Sequence, residues 1–169
     1  MRAVTDVPII GLHKVGGPRR YIITPDLEAA TGLVGAGADM IAIDATEEVW
    51  GTDFSLITTV RDTLGVPVMA DVSTLDEGLR GWDAGALAVG TTLSGYTPES
   101  PAVDRPDLDL VSALAGRGIT VVAEGRYRTP EQVTQAFEAG AYAVVVGGAI
   151  TDPMTTTALF AAATPGGKA

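Results

Sequence analysis

Short apolar runs recur along the chain, and amphipathic stretches with helical spacing separate them. The runs cover 9–12, 40–43, 68–70, 87–89, 119–123 and 143–146. They are short, often β-branched and bounded by turn residues, which is the pattern of strands buried on both faces. The intervening stretches predict helices over 26–36, 53–64, 74–84, 107–116, 130–139 and 153–162. Thr24-Pro25, Thr129-Pro130 and Asp152-Pro153 each supply an N-cap followed by proline at the first helical position. Thr74-Leu75-Asp76-Glu77 and Thr129-Pro130-Glu131-Gln132 have the spacing of capping boxes. Ala-Gly-Ala occurs three times, centred on Gly37, Gly85 and Gly140, with Gly65 and Gly118 in equivalent places. Each fits the position just past a helix, where the chain needs positive φ.

Six strand–helix units without a break in composition imply one parallel sheet, either doubly wound or a (β/α) barrel. Polar residues separate the two. Lys14, Asp44, Asp71, Thr91-Thr92, Glu124 and Gly147 lie at the carboxyl ends of successive strands. Convergence from many strands onto one face is barrel behaviour, whereas a doubly wound sheet concentrates its site at one switch point. The expectation is a single (β/α) barrel domain over 1–163 and a flexible tail over 164–169. The longest non-periodic stretch, 92–106, has the length of a functional lid.

Composition narrows the function. The chain has 169 residues, 46% apolar and 19% charged, enough for one folded domain with a core. Eleven Lys and Arg against 21 Asp and Glu leave a formal charge of -10. That balance repels nucleic acid backbones but leaves room for a small phosphorylated ligand. With no cysteine and one histidine, thiolate chemistry, iron–sulfur clusters and multi-His metal centres are excluded. No apolar run approaches the ~20 residues of a membrane span, and the first residues lack a signal peptide's apolar segment. A cytoplasmic protein without membrane contact is the expectation.

Several residues carry candidate chemistry. Alternation puts Leu12 and Lys14 on one face of the first strand and His13 on the other. If Lys14 points into the mouth, His13 faces the helix layer as a packing or surface residue. A lysine at a barrel mouth serves as a base or Schiff-base nucleophile, or is a solvated rim charge. Glu124 shares its face with Val122, and Asp71 ends its strand in the same way. Glu124 suits acid–base work on a sugar oxygen or a structural ion pair. Asp44 is similar, or caps the loop after it. Gly125-Arg126 and Gly147-Gly148 close the last two strands, where barrels hold phosphate on backbone N–H groups. The alternative is ordinary turn glycine. Neither GxxxxGK[ST] nor a full GxGxxG is present.

These strings resemble a known family. Pro8-Ile9-Ile10-Gly11 with Lys14, Met69-Ala70-Asp71-Val72-Ser73-Thr74, Gly90-Thr91-Thr92-Leu93-Ser94-Gly95-Tyr96-Thr97, Ala123-Glu124-Gly125-Arg126 and Val145-Val146-Gly147-Gly148 are similar to N-acetylmannosamine-6-phosphate 2-epimerases. The resemblance implies a (β/α)₈ barrel that interconverts N-acetylmannosamine 6-phosphate and N-acetylglucosamine 6-phosphate in sialic acid catabolism, with no metal and no cofactor. It implies that Lys14 moves the carbon-2 proton and that Glu124 assists ring opening. It also implies that Asp71, Thr91, Thr92, Tyr96 and Arg126 contact the sugar, with Gly125, Gly147 and Gly148 at the phosphate.

Three departures qualify the resemblance. Family members begin about two strand–helix units earlier, so six of eight units and a barrel truncated at the N-terminus are expected, with a late or misassigned Met1. Open edges would then pair with another chain, favouring a homo-oligomer such as a dimer, and would leave this chain weakly active. Asp152 stands where the family commonly has arginine, and its reading is an N-cap, with Arg126 or Arg19 and Arg20 compensating at the phosphate. Glu47-Glu48, where relatives are often basic, reads as a solvated loop. Two competing readings stay open: another phosphosugar isomerase or epimerase, and an incomplete barrel that only binds or oligomerises.

Overall fold

The computed structural model describes residues 2–164. In chain order, a 3₁₀ turn at Arg2–Val4 precedes β1 (Ile10–Gly11), β2 (Lys14–Gly16), β3 (Tyr21–Ile23), α1 (Leu27–Gly35), β4 (Met40–Asp44), α2 (Glu47–Trp50) and α3 (Ser55–Leu64). Next come β5 (Val68–Asp71), α4 (Leu75–Asp83), β6 (Ala88–Gly90), α5 (Leu108–Ala115), β7 (Val121–Glu124), α6 (Pro130–Glu138), β8 (Ala143–Val145), α7 (Gly148–Thr151) and α8 (Pro153–Ala162).

Six strands form one parallel sheet in the order β1-β4-β5-β6-β7-β8. Each new strand adds to the same edge, so among the described residues the order never reverses and has no switch point. Right-handed crossovers that always advance one way stack their helices on one face. These are six strand–helix units of a (β/α) barrel, with β1 and β8 as edge strands.

Two apolar layers flank the sheet. On the helix side, Ile41, Ile43, Val68, Val89 and Val121 pack against Ile57, Val60, Val111 and Leu114. On the inner side, Ala42, Met69, Ala88 and Val122 pack with Ile23 and Leu93. Strand alternation carries the inner face two residues onward. Asp44, Asp71, Gly90 and Glu124 therefore succeed the inner residues at the carboxyl ends of their strands, with Asp44 beside Asp71 and Asp71 beside Gly90 in register.

The six expected strands and six expected helices are all present, with ends shifted by one or two residues. Thr74 and Thr129 form capping boxes, and Asp152 caps α8 ahead of Pro153. Gly37, Gly85 and Gly140 have φ of 94°, 97° and 99°. One expected helix start is corrected. Asp26, not Thr24, caps α1 by accepting from the Ala29 amide. Thr24 is buried with φ 47°, and its hydroxyl accepts from the His13 amide.

The antiparallel β2–β3 hairpin stands where the sequence pattern predicts only a loop. Its turn closes with the Gly17 amide donating to Arg20 O at 3.0 Å. A Cβ on Gly17 would meet that oxygen at 2.6 Å, so the turn requires glycine. Of the tail expected over 164–169, residues from 165 onward lie outside the described residues, as does Met1. Among the described residues, no helix is long and apolar enough to cross a membrane.

Glu77 stitches two neighbouring loops together. Its buried carboxylate accepts from the amides of Glu47, Ser73 and Thr74 and from the Ser73 hydroxyl. Glu77→Ala strands these donors in or near the core, and urea unfolding should show a loss on the order of 3 kcal/mol. Glu77→Gln keeps one acceptor oxygen and should lose clearly less; equal losses would contradict this assignment.

Candidate functional site

A cavity of about 820 Å³ opens over the inner carboxyl end of the sheet. Lys14 from β2, Glu124 from β7, Thr92 just after β6, and Gly147 and Gly148 at the start of α7 all line it. The hairpin holds Lys14 over the sheet, and His13 turns instead into a crevice against α1. The same crevice holds Leu12, and β1 ends at Gly11, so the expected placement of Leu12 and Lys14 on one face at the end of the first strand is corrected: Lys14 reaches the cavity on the hairpin, not on β1.

Arg20 clamps the hairpin down. Its guanidinium donates to Asp44 Oδ2 at 2.5 Å and Oδ1 at 3.3 Å, to Glu48 Oε2 at 2.9 Å and to Thr46 Oγ1 at 2.7 Å. Burial opposes the guanidinium charge, but the hydrogen bonds and charges of Asp44 and Glu48 outweigh it, and its pKa is raised. Arg20 is thus committed to Asp44 and Glu48 rather than left for a phosphate. Arg19 approaches Glu48 as well, at 3.9 Å. Glu47 and Glu48 are likewise not a solvated loop: they open α2 and pair with Arg80 and Arg20.

Two residues expected at the sugar stand behind the cavity wall. Thr91 is 1% exposed; its hydroxyl donates to Glu124 O and accepts from the Glu124 amide, joining β6 to β7. Asp71 is fully buried and reaches the cavity only through Thr92, whose hydroxyl lies 2.7 Å from Asp71 Oδ1 and 3.2 Å from Glu124 Oε2. Burial pushes the Asp71 carboxyl well up, and the Glu124 charge adds to it. Burial also raises Glu124, with the Thr92 hydrogen bond and Lys14 pulling the other way.

Arg126 lines the cavity with φ 61°, but much of its guanidinium is used. It donates to Arg105 O at 3.0 Å and Ser94 O at 2.8 Å and lies 4.9 Å from the Tyr96 ring centroid. It therefore pins the 92–106 segment. That segment is further held by Thr97 Oγ1 donating to Ser73 Oγ at 2.7 Å and by the Gly95 amide donating to Ser100 Oγ at 2.8 Å.

The floor near α7 is open. A Cβ on Gly147 or Gly148 would meet nothing within 4 Å. The Ile150 and Thr151 amides donate to Gly147 O, and the amides of Gly148 and Ala149, at the start of α7, have no acceptor among the described residues. Asp152 does not intrude, because its carboxylate accepts from the Thr155 amide at 3.0 Å and hydroxyl at 2.6 Å. Arg128 also lines the cavity, and the sequence pattern does not single it out. The turn after Gly125-Arg126 places it near the mouth, but a lone arginine two residues on carries no motif.

Charge is distributed unevenly. In a chain of net charge -10, four of the eleven cations, Lys14, Arg20, Arg126 and Arg128, line this cavity, and Glu124 is the one carboxylate among its lining residues. Such focusing suits an anionic ligand. Among the described residues, no cluster of three or more His, Asp or Glu could hold a metal ion.

A family model described as "Putative N-acetylmannosamine-6-phosphate epimerase" matches residues 1–165. A Klebsiella pneumoniae protein named "Putative N-acetylmannosamine-6-phosphate 2-epimerase" is 47% identical over 152 residues, covering 89% of this chain and 64% of its own. One of the same name from Cutibacterium acnes is 42% identical over 160 residues, covering 91% of this chain and 69% of its own. The chain thus spans about two-thirds of the length of these relatives. The solved N-acetylmannosamine-6-phosphate 2-epimerase from Clostridium perfringens superposes with a TM-score of 0.85 at 38% identity, over 94% of this chain and 71% of that one. With the family model matching residues 1–165 of 169 and the fold shared, this chain belongs to the N-acetylmannosamine-6-phosphate epimerase family.

Proposed function

We propose that the cavity epimerises N-acetylmannosamine 6-phosphate at carbon 2, giving N-acetylglucosamine 6-phosphate, in cytoplasmic amino-sugar catabolism. The carrying observation is that Lys14 and Glu124 line one cavity that also gathers Arg126 and Arg128 and ends at Gly147-Gly148. An anionic sugar enters a cationic pocket, and its phosphate meets the Gly147-Gly148 backbone and the Gly125 turn.

Carbon 2 becomes acidic only when the ring opens and places an aldehyde beside it. Glu124 takes the proton of the anomeric hydroxyl and returns it to the ring oxygen as the C1–O bond breaks. Lys14 in its neutral form then removes the carbon-2 proton, water in the open cavity delivers a proton to the opposite face of the enolate, and the Lys14 ammonium returns its proton to the hydroxide so formed. Enolate charge needs a donor nearby, which the cationic lining supplies. No cofactor enters this scheme. Tyr96 under Arg126 shapes the cavity wall on which the sugar would rest.

Hydrogen–deuterium exchange at carbon 2, followed by NMR in D₂O, tests the chemistry. Lys14→Met should lose exchange by about 10²–10⁴-fold while calorimetry still shows sugar phosphate binding. Undiminished exchange in that variant would reject Lys14 as the base. Binding by the unaltered chain without exchange would favour a binding-only barrel.

The phosphate position is tested separately. Because an added Cβ meets no protein atom, Gly148→Ala should leave the thermal midpoint unchanged. It should weaken N-acetylmannosamine 6-phosphate binding roughly tenfold, an effect of about 1.4 kcal/mol, and leave the unphosphorylated sugar's weak binding alone. Equal weakening for both sugars would move the phosphate elsewhere. The reading also includes a homo-oligomer formed through the edge strands β1 and β8, whose outer backbone groups pair with no strand among the described residues. Light scattering should give at least twice the 169-residue mass; a monomer would remove that part.

A further inference from the structure

Asp71 is the buried titratable group that the epimerisation scheme leaves without work. Its Oδ1 touches the Thr92 hydroxyl at 2.7 Å, and its Oδ2 is buried with no hydrogen-bond partner. The same hydroxyl lies 3.2 Å from Glu124 Oε2. A hydroxyl carries one proton. Two ionised carboxylates cannot both accept from it, and the second contact would set lone pair against lone pair. An ionised Asp71 would also leave a charged oxygen buried and unpaired, which is far costlier than a neutral carbonyl in the same place.

We infer that Asp71 and Glu124 hold one proton between them through Thr92, with the proton on Asp71 and the negative charge on Glu124 at the cavity wall. Asp71 Oδ1–H donates to Thr92 Oγ1, and Thr92 Oγ1–H donates to Glu124 Oε2. Every proton on the line then has an acceptor. The bare Asp71 Oδ2 becomes a neutral carbonyl. Glu124 Oε2 is held, and Oε1 is left for the substrate. Asp71 and Thr92 are positioning residues, since they act through Glu124.

The surroundings agree. Asp44, the neighbour of Asp71 on β4, is neutralised by Arg20 and adds to the pressure against a second charge. Lys14 is the cation that faces the pair, and it favours ionisation of both. The more exposed partner, Glu124, bears the charge at lower cost. On the adjacent strand, a Cβ at Gly90 would stand 2.5 Å from Asp71 Oδ1 and 3.1 Å from Thr92 Oγ1. Glycine at this position keeps the Asp71–Thr92 contact open.

Only the catalytic consequence rests on the proposed epimerase reading, so the first readout uses the free protein. Carboxyl ¹³C NMR of the full chain, labelled at Asp and Glu, should show Asp71 still protonated at pH values where surface aspartates have ionised. Thr92→Val removes the donor to Glu124, and its titration midpoint should move up. Thr92→Ser should restore it, and Gly90→Ala should mimic Thr92→Val. Asp71→Asn, whose amide donates as the acid does, should leave the Glu124 curve in place.

Linkage gives a second readout. Between the ordinary aspartate range and the raised Asp71 value, the native state binds more protons than the unfolded chain. Stability therefore falls as pH rises through that interval. Asp71→Asn should flatten this fall in urea unfolding. In turnover, Thr92→Val should lower kcat about tenfold with KM little changed, and the acid limb of the kcat/KM profile should move up. Asp71 ionising with the surface aspartates, or an unmoved Glu124 midpoint in Thr92→Val, would overturn the shared proton. Intact NMR and linkage results in a chain without turnover would instead overturn the epimerase reading.

Discussion

Burying acids at the inner carboxyl end of the sheet is the constraint on which this architecture turns. Strand alternation delivers Asp44, Asp71 and Glu124 to one face. In a region shielded from water, three neighbouring negative charges would repel one another strongly. Each is handled differently. Asp44 receives a guanidinium on both oxygens, Asp71 receives a hydroxyl and nothing else, and Glu124 reaches the cavity. The first solution requires Arg20 and hence the hairpin. The second requires space at Gly90. The third leaves one usable carboxylate opposite Lys14.

The hairpin links fold and chemistry through that requirement. Gly17 allows the tight turn, the turn places Arg20 over Asp44, and the same two-stranded ribbon carries Lys14 across the cavity mouth. A structural ion pair thus sets the position of the proposed base. The 92–106 segment contributes to the same cavity through Thr92, Leu93 and Tyr96. Its length suggests a moving lid, yet Arg126, Ser73 and Asp107 tie it down, so it forms a wall with Tyr96 at its edge.

Most of the fold is legible in the sequence because its signals are local. Helix caps at Thr74, Thr129 and Asp152 depend on residues three positions apart, and the positive φ of Gly37, Gly85 and Gly140 is a consequence of helix ends. Glu124 is legible for a related reason: two-residue periodicity within one strand says which face a side chain takes, whereas Lys14 comes to the cavity on the hairpin rather than at the end of β1. The hairpin escapes such reading because its strands are three residues each and its turn, Gly17-Pro18-Arg19-Arg20, has the composition of a loop. The misassigned cap at Thr24 has the same origin, since Thr24 is held by pairing with His13 across the ribbon.

Burial is less legible than direction. Asp71 and Glu124 have the same strand-end pattern in sequence, yet one is sealed and the other lines the cavity. The difference arises in the residues just after β6, where Thr92 sits over Asp71 and Leu93 packs into the inner layer. Conversely, Arg126 and Arg20 look equally free in sequence to meet a phosphate, but Arg20 is consumed by Asp44, while Arg126 divides its donors between loop carbonyls and the cavity wall. What a residue can do for a ligand is what remains after its partners in the fold are satisfied. By that standard the groups left free for the proposed substrate are Lys14, one oxygen of Glu124, Arg128 and the Gly148 and Ala149 amides, none of which would have to break a contact that holds the sheet together.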